Sequence, residues 1–267
     1  MSAVWHAPAL LHKLTGLRFG LPVHVYGRLG STNDEARRLA QAGAPEGLLV
    51  IAEEQTAGRG RAGRRWLTPP GTALAFSLVL RPPAPAAEAS RLSMLAGLAL
   101  CEAVERVAGV PVRLKWPNDI LIHGQKAGGI LLETALDAGT QQLDYAVLGI
   151  GVNVAEAPPP EAVDFPATAL DAEAGRPVDR LDLLRAILER LEAHYPRLEA
   201  GSGLLHTAWA ARLAWLGESV VARTPDGETV GRAVGADEDG ALLVVLDSGV
   251  RVRVTAGDVR LRLAPVR

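Results

Sequence analysis

Most apolar residues of this chain occur in short runs bounded by glycine, proline or charged residues, the pattern of strands in a sheet. These runs predict strands at 23–26, 47–52, 74–80, 112–115 and 145–154. Apolar residues at helical spacing predict long helices over 86–107 and 181–195, the second capped by Asp179, and shorter helical stretches at 36–42 and 204–215. The sequence therefore predicts a mixed central sheet flanked by helices, an α+β fold.

Two further patterns refine this fold. Short apolar runs on both sides of His123-Gly124 predict a β-hairpin. After Gly217 the helical spacing ends, and runs at 219–223, 229–234, 241–246 and 250–255 are separated by turn residues at 225–227, 237–240 and 248–249. We expect this second pattern to form a small antiparallel barrel, which divides the chain into domains at 1–215 and 216–267.

Composition narrows the classes of function. The net charge of −2 over 267 residues gives no global attraction for nucleic acid, so any anion binding must be local. Cys101 is the only cysteine, which excludes an internal disulfide, and we expect it to be inert inside its helix. Neither a leader pattern at 1–17 nor an apolar stretch of membrane-spanning length is present. These features favour a soluble, cytoplasmic protein that binds neither DNA nor a membrane.

Residues 58–66 form the most unusual segment, with three glycines and four arginines before Trp66. Glycine lets the backbone approach a ligand closely, and guanidinium groups pair with carboxylate and phosphate. The spacing matches neither a P-loop nor a dinucleotide fingerprint, so a solvated basic turn between strands is the alternative. If the segment binds anions, we expect it to stay mobile until a negatively charged ligand gathers its guanidinium groups.

Residues 31–35 precede the predicted helix at 36–42. The spacings from Ser31 to Asp34 and from Thr32 to Glu35 are those of a capping box, which predicts that these hydroxyl groups cap the helix. A helix N-terminus with free N–H groups can also bind a polar ligand, and capping does not forbid that.

Lysine is rare in a chain that otherwise uses arginine, and two of its three lysines lie in the hairpin region. Lys115 begins the segment Lys115-Trp116-Pro117-Asn118-Asp119, and Lys126 begins the second arm before Gly128-Gly129. A compact ammonium with an adjustable pKa is one reason to keep lysine there. Asn153 is a polar residue in an apolar strand and needs a partner if it is buried. A hairpin with ordinary polar ends is the alternative.

Together these segments resemble the biotin protein ligases, also called biotin–[acetyl-CoA-carboxylase] ligases. The resemblance spans 31–154 in the family's order, and the small barrel after Gly217 is similar to the family's C-terminal SH3-like domain. It rests on segments 31–33, 58–63, 115–119, 126–130 and 149–153, together with Gln55. The resemblance implies a catalytic domain like that of class II aminoacyl-tRNA synthetases.

The resemblance also implies an activity. Biotin and MgATP would give biotinyl-5′-AMP and pyrophosphate, and a lysine of a biotin carboxyl carrier domain would then attack the mixed anhydride. ATP and Mg²⁺ would be co-substrates, with no tightly bound prosthetic group, and a homodimer is expected. Some family members carry a DNA-binding domain of about 60 residues before the Ser-Thr-Asn motif; only 30 residues precede Ser31, so we expect no repressor function. Ala62 replaces a basic residue of some members, which bears on how tightly the adenylate is held.

Roles follow residue by residue from the same resemblance. Arg61 and Lys126 are the expected catalytic cations, because bringing a carboxylate to the α-phosphate requires dense positive charge. Asp119 is expected either to hold Mg²⁺ or to accept the proton of the incoming amine. The residues expected to bind biotin are Ser31, Thr32, Asn33, Gln55, Arg59, Gly60, Arg61 and Lys126. Those expected to bind ATP are Arg61, Trp66, Lys115, Asn118, Lys126 and Asn153.

Three other functions compete with this one. A lipoate or octanoate ligase or transferase shares the fold but handles an apolar acyl chain, and the polar residues at 31–33 and Gln55 favour biotin over it. A nucleic-acid binder would use the arginine segment and would bind in a salt-sensitive way. A biotin-sensing regulator would bind biotin and form no adenylate.

Overall fold

The computed structural model describes residues 5–198, 203–224 and 227–262. Its helices are α1 (Ala7–Leu14), α2 (Thr32–Gln41), α3 (Ala89–Ala108), α4 (Leu170–Ala174), α5 (Arg180–His194) and α6 (Gly203–Ala210). The two predicted long helices are confirmed as α3 and α5. The Asp179 carboxylate caps α5 by accepting a hydrogen bond from the backbone N–H of Asp182, and Ala86–Glu88 forms a 3₁₀ turn before α3.

The strands of the first sheet confirm the predicted apolar runs. They are β1 (Val23–Leu29), β2 (Leu49–Gln55), β3 (Ala73–Leu80), β4 (Arg113–Lys115), β5 (Asp119–Ile122), β6 (Gln125–Leu136) and β7 (Leu143–Asn153). The hairpin predicted at His123-Gly124 joins β5 to β6. Both turn residues have positive φ, 47° for His123 and 80° for Gly124, which suits a tight two-residue turn.

The seven strands form one mixed sheet in the order β1-β2-β3-β7-β6-β5-β4. Only β1 and β2 pair in parallel; every other ladder is antiparallel. Helix α2 connects β1 to β2 and packs against β2, β3 and β7, while α3 and α5 pack together and contact β6 and β3 respectively. The sheet therefore has a helix layer on each face.

Alternation along the central strands divides their side chains between two apolar clusters. On β3, for example, Phe76 and Leu78 belong to the large cluster that includes α3 and α5, whereas Val79 belongs to a small cluster under α2. The period of two places Ser77 on the α2 face, where it is fully buried. The α2 face thus carries polar groups at the level of residues 31–33.

The segment 204–215 is helical only as far as Ala210, so the prediction of a longer helical piece is wrong beyond that residue. Leu114 of β4 donates to the carbonyl of Arg212 at 2.9 Å and accepts from the N–H of Ala214 at 2.7 Å. These bonds to the edge of the sheet replace the helical hydrogen bonds, because backbone groups at a buried edge need partners.

The C-terminal region forms a separate antiparallel sheet. Its strands are β8 (Ser219–Thr224), β9 (Gly227–Ala236), β10 (Leu242–Val245), β11 (Arg251–Val254) and β12 (Asp258–Leu261), in the order β11-β10-β9-β8-β12. The four predicted strands are confirmed, and β12 is a fifth that the pattern did not indicate. Residues 225 and 226 of one predicted turn lie outside the described residues. No helix in the described part of the chain has the length and apolar character needed to cross a bilayer.

Candidate active site

Glycines on the α2 face of the central strands let other side chains lie directly against the sheet. Gly151 pairs with Gly129 of β6, and Gly149 pairs with Leu131 of β6 and Ser77 of β3. A Cβ at Gly149 would collide with the Asn33 side-chain oxygen, and one at Gly151 would collide with the Trp66 indole. Glycine at both positions lets Asn33 and Trp66 lie against the strands, and these residues line a cleft of about 220 Å³.

One end of this cleft is built from neutral hydrogen-bonding groups at the start of α2. The backbone N–H and hydroxyl of Thr32 both donate to Gln55 Oε1, at 2.8 and 3.1 Å. Gln55 Nε2 donates to the Thr68 hydroxyl at 3.2 Å, and Ser77 Oγ lies 2.8 Å from Thr32 Oγ1. The Gln55 carboxamide is thereby fixed in one orientation, which gives this end a defined pattern of donors and acceptors.

The prediction that residues 31–35 cap the helix with their side chains is wrong. Ser31 occupies the N-cap position of α2, but its hydroxyl makes no capping hydrogen bond. The Thr32 hydroxyl instead donates a hydrogen bond to Gln55, because the strand that carries Gln55 runs beside the start of the helix. The buried side chains of Ser31 and Thr32 face the cleft rather than the helix end.

Asn33 and Arg59 join the helix, the arginine segment and the sheet. Asn33 Oδ1 lies 2.6 Å from the Ser77 hydroxyl, and its amide donates to Glu133 at 2.8 Å. The Arg59 guanidinium donates to the same Glu133 carboxylate at 2.7 Å and to Asp34 at 2.8 Å. Both side chains line the cleft and both are held by groups of the protein itself.

The arginine segment folds into a short hairpin over the cleft. The backbone N–H of Trp66 donates to the carbonyl of Gly58 at 2.9 Å, and the backbone N–H of Gly60 donates to the carbonyl of Arg64 at 2.7 Å. A 3₁₀ turn at Arg61–Gly63 forms the tip, where Ala62 has a positive φ of 53°. The hairpin presents Arg61 and Trp66 towards the cleft, and its mobility without ligand stays a prediction.

The other end of the cleft is ionic. Lys126 Nζ lies 2.7 Å from one oxygen of Asp119, and Lys115 Nζ lies 3.7 Å from the other. Asp119 is 6% exposed and the Lys115 side chain 2%. A Cβ at Gly129 would lie 3.0 Å from the Asp119 carboxylate and 3.5 Å from Lys126 Nζ, so glycine gives this ion pair its room.

Arg61 also lines the cleft and is half-buried. Burial, and to a smaller extent the charge of Arg64, lowers the pKa of Arg61 below its ordinary value. The negative charges of Asp119 and Asp258 oppose this shift without cancelling it. Its guanidinium has no ion-pair partner among the described residues. A half-buried cation with unused donors is suited to an incoming anion.

Trp66, Asn118 and Asn153 complete the set predicted from sequence. The Lys126 ammonium lies 5.8 Å from the centre of the Trp66 indole. Asn118 donates its side-chain amide to the carbonyl of Ile130 at 2.6 Å, and Asn153 donates to that of Thr168 at 3.0 Å. The two amides therefore also brace the backbone around the cleft.

All thirteen residues predicted to bind biotin or ATP, or to act on them, line this single cleft. The structure adds residues that no motif indicated. Asp164 and Phe165 of one loop line the cleft, Ser77 bonds Asn33, and Asp258 of β12 pairs with Lys115. Phe165 lies with its ring 5.3 Å from Lys115 Nζ. The only sequence signal for this loop was its run of prolines at 158–160. No cluster of three metal-ligating side chains occurs among the described residues.

Comparison with known protein families accounts for both parts of the chain. Residues 26–153 match the biotin/lipoate A/B protein ligase family, and residues 215–262 match the biotin protein ligase C-terminal domain. The biotin–[acetyl-CoA-carboxylase] ligase of Paracoccus denitrificans is 42% identical over 84% of this chain and 95% of its own length. The bifunctional ligase/repressor BirA of Bacillus subtilis is 37% identical over 92% of this chain and 78% of its own.

Solved structures show the same relationship. The biotin protein ligase from Aquifex aeolicus in complex with biotin and ATP superposes with a TM-score of 0.75 and 29% identity, covering 91% of this chain and 99% of that one. The Leishmania major enzyme in complex with biotinyl-5-AMP has a TM-score of 0.61 and 28% identity, covering 88% and 98%. The chain therefore belongs to the biotin protein ligases of the biotin/lipoate A/B protein ligase family.

Proposed function

We propose that this cleft carries out both half-reactions of an ATP-dependent biotin ligase. Biotin and MgATP give biotinyl-5′-AMP and pyrophosphate, and a carrier lysine then takes the biotinyl group and releases AMP. The observation that carries the proposal is the pairing of two unlike ends in one cleft. Thr32 and Gln55 offer fixed neutral hydrogen bonds, and Arg61 and Lys126 offer positive charge.

In this assignment the neutral end binds the ureido ring of biotin. Gln55 and Thr32 are already oriented by each other, so little side-chain freedom is lost on binding. Ser31, Asn33, Arg59 and Gly60 complete this end, with Asn33 and Arg59 also supporting it through Glu133.

The ionic end brings the biotin carboxylate and the α-phosphate together. Arg61 and Lys126 offset the charge that grows as the carboxylate oxygen attacks phosphorus and pyrophosphate leaves. Trp66, whose indole lies against Gly151, packs against adenine, and Asn118, Lys115 and Asn153 surround the nucleotide.

Asp119 is the candidate Mg²⁺ ligand. A single carboxylate suits Mg²⁺ bound mainly through substrate phosphates, since this ion often takes only one or two protein carboxylates. Mg²⁺ would supply charge for the departing pyrophosphate. The other role for Asp119 is to accept the proton of the carrier amine in the second half-reaction.

The variant Asp119→Asn separates these roles. Because Asp119 pairs with Lys126 at 2.7 Å, we expect pyrophosphate release to fall about 100-fold, on the scale of one electrostatic contact. Transfer from supplied biotinyl-5′-AMP to a carrier domain should fall less than about tenfold, because this reaction bypasses the adenylation step that needs the contact. The reverse pattern would assign Asp119 to proton transfer.

The hairpin at 58–66 is proposed to close over the adenylate and keep water from it. Trypsin should cut after its arginines in the free enzyme, and biotin plus ATP should suppress these cuts. Biotin alone and ATP alone serve as controls. Unchanged cutting in the presence of both substrates would contradict closure.

The direct test of the function uses biotin, MgATP and a biotin carboxyl carrier domain, followed by intact mass measurement. The carrier should gain one biotinyl group, and lipoate in place of biotin should give none. A site that hydrogen-bonds a polar group rejects an analogue without it by roughly 10⁴-fold or more. Lipoylation instead of biotinylation would identify the chain as a lipoate ligase.

We further propose a cytoplasmic homodimer that acts on the carrier domain of acetyl-CoA carboxylase or a related carboxylase. Of the two sheet edges, β4 is bonded to residues 212–214, whereas β1 has no strand on its outer side in the described part of the chain. An unpaired edge can pair with a second copy. Light scattering over a range of concentrations, with and without biotin and ATP, tests this; a monomer under all conditions would contradict it.

A further inference from the structure

Asp258, the first residue of β12, places a carboxylate from the C-terminal sheet against Lys115 and Arg64, two cations that line the cleft. One oxygen forms an ion pair with the Lys115 ammonium, and the other lies 3.5 Å from the Arg64 guanidinium and 3.7 Å from that of Arg260. Burial raises the pKa of Asp258, but the hydrogen bond from Lys115 and the nearby positive charges outweigh it and hold the pKa below its ordinary value. The residue is therefore an anion at neutral pH.

The resulting charges form a continuous series across two domains. Lys126 pairs with Asp119, Asp119 lies next to Lys115, Lys115 pairs with Asp258, and Asp258 reaches Arg64 of the hairpin. Lys115 is buried and lies between two carboxylates, so its position depends on both. Without Asp258 the buried ammonium would turn to Asp119, the carboxylate that Lys126 uses.

Contacts other than this ion pair also attach the C-terminal sheet to the rest of the protein. The Trp116 indole N–H donates to the carbonyl of Gly240 at 2.8 Å, and Met94 packs against the same glycine. Trp209 lies beside the same position, 3.9 Å from where a Cβ at Gly240 would be. The carboxylate of Asp258 is thus an addition to an interface that other contacts already hold.

The backbone before Asp258 is shaped to present it. Gly257 has a φ of 136°, a conformation that side-chain-bearing residues rarely adopt, and a Cβ there would collide with the carbonyl of Arg223 on β8. Only glycine lets the chain pass this close to β8, and the next residue then projects toward Lys115.

We propose that Asp258 is a positioning residue for the nucleotide step, which holds Lys115 away from Asp119 and holds the arginine hairpin through Arg64. The proposal rests on the function proposed above. When the triphosphate enters, Arg64 exchanges the Asp258 carboxylate for phosphate, and Lys115 stays where Asp258 places it. The C-terminal sheet thereby contributes to nucleotide binding through a residue that acts on two cations of the cleft.

The test measures the KM for ATP and the KM for biotin in biotin-dependent pyrophosphate release. Loss of one charged hydrogen bond in Asp258→Asn should raise the KM for ATP about tenfold and leave the KM for biotin within about twofold. Asp258→Glu keeps the charge and moves it by one methylene, so the KM for ATP should rise about threefold. The matched control is Asp247→Asn, because Asp247 is a highly exposed carboxylate in the turn between β10 and β11, 4.0 Å from Arg262, and should change neither value.

A merely structural role for Asp258 would lower the melting temperature and raise both KM values in parallel, or change neither, and either result would overturn the proposal. If Asp258→Asn does not fold, the Asp258→Glu result decides: a selective rise for ATP supports the proposal, and its absence overturns it. Lack of biotin-dependent pyrophosphate release by the unaltered enzyme would instead contradict the proposed function.

Discussion

The two faces of the central sheet differ in what fills them. On one face, side chains such as Phe76 and Ile150 pack against α3 and α5 in a continuous apolar cluster. On the other, Gly149, Gly151 and Gly129 let polar, charged and aromatic side chains lie directly against the strands, and these groups border a cleft. The same strands thus provide both a core and a floor for a ligand, because alternate residues point to opposite faces.

This difference between the two faces predicts where substitutions should affect catalysis and where they should affect stability. On the filled face, a change alters packing. On the open face, the effect depends on whether the residue belongs to the neutral end or the ionic end of the cleft. The following predictions test that division, beginning with the largest expected effect.

Lys126→Ala should lower the rate of adenylate formation by about 10²- to 10³-fold, the usual effect of removing one preorganised electrostatic group. Lys126 is a cation of the ionic end with a 2.7 Å pair to Asp119. Pyrophosphate release measures the rate. Lys13→Ala is the matched control, since Lys13 pairs with Asp182 away from the cleft; near-normal release by Lys126→Ala would show that another cation carries the charge.

Gln55→Leu should raise the KM for biotin about tenfold to a hundredfold, because the buried Thr32 N–H loses its acceptor. The KM for ATP should stay within about twofold, since the ionic end is unchanged. Steady-state kinetics with each substrate varied in turn gives both values. Gln41→Leu, an exposed position at the end of α2, is the control; equal changes in both KM values would contradict the division into two ends.

Gly151→Ala should raise the KM for ATP about tenfold, on the scale of 1–3 kcal/mol for a small overpacking, because the new Cβ displaces the Trp66 indole. We expect the hairpin that carries Trp66 to shift and accommodate the new methyl group, so the melting temperature should change little. Calorimetry and kinetics together test this. Gly139→Ala, on the surface, is the control; a large loss of stability with an unchanged KM would show that Gly151 serves the core alone.

Cys101 on the filled face should show the smallest effect. Burial raises the pKa of its thiol to about 12, so the thiol stays protonated at neutral pH and reacts poorly with alkylating reagents. Iodoacetamide should modify it only in denaturant, and Cys101→Ala should keep activity within about twofold. Rapid alkylation of the native enzyme with loss of activity would contradict this prediction and show that Cys101 is accessible and needed for activity.

Sequence patterns predicted the first sheet well because its strands are continuous apolar runs with clear breaks. They missed β12, whose residues Asp258–Leu261 alternate charge with short apolar side chains and resemble a polar turn. They also assigned Ser31 and Thr32 to helix capping, since spacing along a chain cannot show that Gln55 lies beside the helix start.

The motifs indicated the chemistry of the cleft but not its supports. Ser77 stands alone in an apolar strand, and Asp258 lies 143 residues from Lys115, so neither has a local signal. Only pairing between distant strands reveals that they meet the motif residues.

By itself, the sequence determined the strands of the first sheet and its two long helices, because each depends on the local order of apolar, glycine and charged residues. Its motifs, taken together along the chain, also indicated the family and the residues that line the cleft. The tertiary structure alone decided which face is open, which polar group each motif residue bonds, and that the C-terminal sheet adds a carboxylate to the site. Those facts depend on strand register and on contacts between domains, and no short stretch of sequence encodes them.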